Sequence, residues 1–196
     1  MPMPKTSSSS MGNAMNIDWI EIPGGTCLFG DEARPIAVPT LLWSRTPITQ
    51  AHLDGGSRVH HPTTCVDHPT AGHMARRLGG RLPRSVEWEW MASGAERRVW
   101  PWGSTPWSPE LANLRNSGYE NTTDVAAHPE GATPHGMLDV AGNVWEWTAS
   151  PTMGDGFVIR GGSYASPPLY ARCTFLNSAP AELRSPGIGF RVVREP

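Results

Sequence analysis

Cysteine is scarce in this 196-residue chain: Cys27, Cys65 and Cys173 lie far apart, and their number is odd. With no CxxC pair, a disulfide framework is not implied, and a reducing compartment fits. Long apolar runs are missing as well. No stretch approaches the roughly 18 residues needed to cross a bilayer, so no membrane partner is expected. Nor does one sign of charge dominate. Sixteen Lys and Arg stand against 18 Asp and Glu, and basic residues gather only in short pairs such as Arg76-Arg77 and Arg97-Arg98. That pattern excludes the electrostatic footprint of a nucleic-acid binder. Residues 1–16, MPMPKTSSSSMGNAMN, contain no apolar signal-peptide core. They read as a disordered leader, with Met11 or Met15 as alternative starts, and the location is expected to be cytoplasmic.

What the chain does have is glycine, proline and tryptophan. Twenty-one Gly and 20 Pro would suggest low complexity, but nine Trp residues need somewhere to bury. The composition therefore predicts one ordered, loop-rich domain over 17–196, large enough for a core without staples.

Trp19, Ile20 and Ile22 before Pro23-Gly24-Gly25, and Cys27 to Gly30 after it, read as two short strands joined by a turn. Residues 36–43 give a strand-like run broken by Pro39. Asp67 is a good N-cap for a helix of Ala71, Met74, Ala75 and Leu78 that stops at Gly79-Gly80. A second helix starts at Ser85 and carries Val86, Trp88, Trp90, Met91 and Ala92 on one broad face, ending at Gly94. Strands are expected again over 157–164 and 188–193.

Five blocks occur in order: IPGG at 22–25, GGRLPRSVEWEWMA at 79–92, WPWG at 100–103, GMLDVAGNVWEWTAS at 136–150, and IRGGSY at 159–164 with GIGFRVV at 187–193. Together they resemble the formylglycine-generating enzyme, or sulfatase-modifying factor, family. The resemblance implies an α+β fold of modified C-type lectin type with little regular secondary structure, which agrees with the composition. Carried over by position, it implies a calcium site at Asp139, Gly142, Val144 and Glu146, in which the turn at Gly142 presents oxygens to a hard cation. The residues alone also allow Glu146 to pair with an arginine while Trp145 and Trp147 fill core. A second family calcium site begins to match at Asn113-Leu114, but the segment after it is shorter here.

The family's usual reaction oxidises a substrate cysteine with O₂ and Cu(I) held by two thiolates, the soft ligands this ion requires. Here GGSY is followed by ASPPLYARC. Ser166 stands at the first thiol position, the second falls in a gap, and Cys173 matches a later structural position. Copper is therefore not expected. At the helix cap, Arg84 replaces the family's Thr three residues before Glu87, so the capping box is expected to be lost, with Ser85 shifting the cap.

A separate constellation, His60, His61, Cys65, His68 and His73, has ligand types that suit zinc, iron or copper. Helix capping by Asp67 explains the same stretch without a metal. His52, His128 and His135 read as solvated loop residues. The expected function is a ligand-, peptide- or protein-binding module on a calcium-stabilised lectin-like scaffold, using Ser163, Tyr164, Ser166 and Tyr170 in the loop over 163–170, which Pro167-Pro168 stiffens. A metal-dependent oxidase or oxygenase tailoring a small molecule or peptide is the alternative, and a true formylglycine generator is a further one.

Overall fold

The strand-rich start of the domain combines one long-range pairing with one local hairpin. In the computed structural model, which describes residues 17–53 and 60–196, β1 (Trp19–Ile22) pairs antiparallel with β4 (Leu41–Ser44), and β2 (Gly25–Phe29) with β3 (Arg34–Val38). The Pro23-Gly24-Gly25 turn therefore changes sheets instead of closing a hairpin. The break between β3 and β4 falls at Pro39, as its missing N–H requires. The leader over 1–16 lies outside the described residues.

Helix α1 (Gln50–Leu53) is short. Helix α2 (His68–Arg77) begins where the sequence places it, with the Asp67 side chain accepting from the Thr70 N–H at 2.9 Å. Helix α3 (Ser85–Ser93) differs from expectation in two respects. It is buried on nearly every side, Glu87 and Glu89 included, so it has no single apolar face. Half of its capping box also survives. Glu87 Oε2 accepts the Arg84 N–H at 2.7 Å, while Arg81 and Arg84 neutralise its charge. Arg84 has no acceptor to return the bond, and the Ser85 hydroxyl is buried without a partner, so Ser85 does not take over the cap.

The remaining strands are β5 (Trp145–Pro151), β6 (Gly156–Arg160), β7 (Asn177–Pro180), β8 (Ile188–Gly189) and β9 (Val193–Arg194). A four-stranded sheet runs β7-β6-β5-β8, with β8 parallel to β5, and β9 adds to β4. Alternation along β5 decides what each face does. Trp145 and Trp147 enter the core cluster that holds Ala71, Ala75, Ile159, Ile188 and Phe190, while Glu146 meets Trp88 of α3 through its indole N–H at 2.7 Å. The result is an α+β domain in which loops hold much of the chain, and the long loop before β5 contains no long helix or strand. No helix among the described residues is long and apolar enough to cross a membrane.

Candidate functional site

Strand β6 is followed by Gly161-Gly162, both with positive φ (94° and 77°), and this backbone turn carries the chain to Ser163 beyond the strand's C-terminal end. Ser163 and Ser166 close the next turn on each other. Their hydroxyls lie 3.2 Å apart, Ser166 Oγ accepts the Ser163 N–H at 3.0 Å, and the Ser166 N–H donates to the Ser163 carbonyl at 2.8 Å.

Beside this turn opens a cleft of about 310 Å³. Its sides are built from Trp145, Ile159 and Ile188 of the sheet, with Tyr164, Leu183 and Ser185 among the lining, and no ionisable acid or base belongs to it except the Tyr164 phenol. A second depression, about 480 Å³, shares Tyr164 and Ala165 with the first and is lined on its far side by Arg115, Tyr119 and Glu120. Of the four residues expected to bind ligand, Tyr164 borders both depressions, whereas Ser163, although it lines the first, is itself buried in the turn. Ser166 is a buried brace of the turn. Tyr170 is exposed but lines neither depression; it stacks on Phe175 at 4.6 Å and tilts against Trp145 at 6.2 Å. No sequence signal marks Arg115, Tyr119 and Glu120: they follow Asn113-Leu114, which resembles only a fragment of a calcium motif.

The thiols fit the copper test poorly. Cys27 and Cys173 are buried, and both feel the same Glu89–Arg160 ion pair, itself fully enclosed. Burial pushes the Cys27 thiol up to about 11 and the Cys173 thiol up to about 12, so both hold their protons at neutral pH. Cys65 is exposed on the surface. The soft anionic pair that Cu(I) needs is not assembled by these residues, and Ser163 and Ser166 offer only hard neutral oxygens to it.

The expected calcium ligands come together, but as an ion pair. Arg191 Nε and Nη2 grip both Glu146 oxygens at 2.7–3.0 Å, and Trp88 donates to one of them. Asp139 Oδ2 accepts the Ala126 N–H at 2.6 Å, and the Gly142 carbonyl accepts the Val144 N–H at 2.7 Å. Burial pushes the Asp139 carboxyl up to about 6, against the pull of the Ala126 N–H and Arg191. As they stand, these four residues form no open cage for a dication, because the guanidinium already supplies the positive charge. Gly142 itself is required by backbone: its φ is 76°, and the Asn113 carbonyl occupies the space a Cβ would fill. At the other calcium-like position, Asn113 spends its amide on the Asn121 carbonyl and on Ser117 Oγ, at 2.9 and 2.8 Å.

The histidine constellation is dispersed into separate partnerships. His61 Nδ1 meets Thr122 Oγ1 at 2.8 Å and its Nε2 lies 3.3 Å from Asp124. His68 stacks on Phe157 and its Nε2 reaches the Thr148 carbonyl at 2.9 Å. Cys65 is exposed. Among the described residues no group of three His, Cys, Asp or Glu is placed to hold a metal. Two other histidines correct the expectation of solvation. His128 is buried, with Nδ1 unpartnered, and His52 Nδ1 accepts the Thr49 N–H at 3.0 Å; burial lowers the pKa of both.

A domain of this architecture, with the WEW strand packed on α3 and the glycine turn leading to the cleft, defines a class. Residues 47–196 match the sulfatase-modifying factor enzyme 1-like domain, and the chain belongs to that family. It is 36% identical over 142 residues to the hercynine oxygenase of Mycolicibacterium smegmatis, covering 57% of this chain and 33% of that protein. It is 30% identical over 200 residues to the formylglycine-generating enzyme of Mycobacterium tuberculosis, covering 81% of this chain and 65% of that one. The chain therefore spans about a third of the hercynine oxygenase it matches. Among solved structures, Treponema denticola variable protein 1 superposes with a TM-score of 0.78 at 20% identity, over 100% of both chains. PvdO from Pseudomonas aeruginosa does so with 0.73 at 22%, over 90% of this chain and 94% of that one. These likenesses establish the loop-rich α+β, C-type-lectin-like fold.

Proposed function

We propose that this domain is a binding module that holds a small molecule or short peptide on the surface around Tyr164, at a cytoplasmic location. Its own residues do not carry out copper-dependent cysteine oxidation. One observation carries the reading. Ser166, which stands where the family resemblance puts the first metal-binding sulfur, bonds Ser163 in a buried turn beside the cleft, while two of the three thiols are sealed inside as neutral groups. Loops on a rigid scaffold commonly serve recognition, and this loop follows directly on β6 of the four-stranded sheet.

The test is to incubate the protein with copper, O₂ and a peptide of the pattern Cys-x-Pro-x-Arg, then weigh the peptide by mass spectrometry. The peptide stays unmodified; formylglycine in the product overturns the reading.

The similarity to hercynine oxygenases favours a second reading, in which the cleft presents a substrate to an oxidising metal held outside the described residues. Metal analysis of protein purified without chelator separates the two. Stoichiometric iron or copper supports the oxygenase reading, and none supports the binding module.

A further inference from the structure

The depression on the far side of Tyr164 combines two features that single out a ligand class. Arg115 and Glu120 line it together, with opposite charges and no ion pair between either of them and another described residue. Arg115 uses Nε on the Ala165 carbonyl at 3.0 Å, which fixes the plane of the guanidinium and leaves its two terminal nitrogens to a ligand. Tyr119, 53% exposed, and Tyr164 supply aromatic surface beside these charges.

The loop that carries these groups is held in advance. The Arg115 N–H donates to the Ser166 carbonyl at 3.0 Å, so the loop docks on the Ser163–Ser166 turn. Asn113, Ser117 and Asn121 tie its two arms together, and the Tyr119 ring rests edge-on against His128 at 6.0 Å. Asn116 and Gly118, with φ of 72° and 96°, form the bends between. A loop braced in this way loses little conformational freedom when a ligand arrives.

We infer that this depression binds the zwitterionic head of a free α-amino acid with an aromatic or large apolar side chain. The Arg115 fork takes the carboxylate, Glu120 takes the ammonium, and the side chain lies against Tyr119 and Tyr164. A peptide in mid-chain carries neither charge on its backbone, so the pair selects for the free amino acid. The inference rests on the binding-module reading and names the ligand of one half of that surface.

Isothermal titration calorimetry with L-phenylalanine, N-acetyl-L-phenylalanine and L-phenylalaninamide tests it. L-Phenylalanine binds, and removing either charge from the ligand weakens binding about tenfold or more. In Glu120→Gln, acetylation no longer costs affinity; in Arg115→Gln, amidation no longer does. Equal affinity for all three ligands overturns the inference, as does the absence of any binding of L-phenylalanine at millimolar concentration. If Arg115→Gln loses the fold along with its bond to Ala165, the ligand series on the unaltered protein decides alone. The peptide-oxidation experiment is independent of these titrations, so failure here and failure of the binding-module reading are distinguishable.

Discussion

Arg191 and Glu146 form a two-pronged ion pair in the centre of the domain, both side chains wholly enclosed, with Nη2 to Oε1 at 2.7 Å and Nε to Oε2 at 2.8 Å. Arg191 also donates to the carbonyls of Ser44, Arg45, Leu138 and Asp139, tying the β4 end, the loop before β5 and the C-terminal segment to one group. Removing the acid leaves that cation buried without its counter-charge. Glu146→Ala is expected to cost about 3–5 kcal/mol in urea unfolding; a loss under about 1 kcal/mol would show that the pair does not hold the core.

Asp139 lies beside this pair as a surplus acid, and its ionised form adds a second negative charge to one arginine. Its folded pKa is raised from 3.8 to about 6, so the folded state holds the proton more tightly than the unfolded chain. Stability from this group is therefore full below 3.8 and is lost as pH rises through about 6. Asp139→Asn keeps an acceptor for the Ala126 N–H and suits the positive φ of 51° at this position. Thermal melts across this range are expected to show a higher Tm for the variant above pH 6 and a flatter pH dependence. Parallel curves for the two proteins would refute it.

Alkylation should distinguish the cysteines sharply. Cys65 is exposed, while Cys27 and Cys173 are buried with raised pKa values. Iodoacetamide on the native protein is expected to add a single adduct at Cys65, and the other two only after denaturation. Rapid native labelling of Cys27 would mean that β2 opens.

Calcium makes a clean test of the ion-pair geometry. Because Arg191 already satisfies Glu146, added calcium is expected to leave Tm unchanged. A rise in Tm that disappears in Glu146→Gln would instead mean that the cation displaces the guanidinium.

Local features are legible in the amino-acid sequence itself. The Asp67 cap, the stop of α3 at Gly94 and the break at Pro39 each depend on a residue's own hydrogen-bonding capacity or backbone freedom. The five ordered motifs carry the fold. Features decided by distant partners are not legible in this way. Pro23-Gly24-Gly25 reads as a turn between paired strands, yet β1 pairs with the distant β4, which buries Trp43, while β2 closes its own hairpin with β3. Nothing near Glu89 in the sequence marks it as buried; its partner Arg160, 71 residues on, meets it inside the core. Of the candidate site, Ser163 and Tyr164 are legible from the GGSY motif. Arg115 and Glu120 are not, since only the docking of their loop on Ser166 brings them beside Tyr164.

At its centre the chain keeps a lectin-like scaffold without the sulfur pair that grips monovalent copper. Titration of the anaerobic, reduced protein with Cu(I) against a chromophoric chelator measures this directly. No stoichiometric, tightly bound copper is expected. One equivalent of Cu(I), held tightly and released in Cys27→Ser or Cys173→Ser, would contradict it.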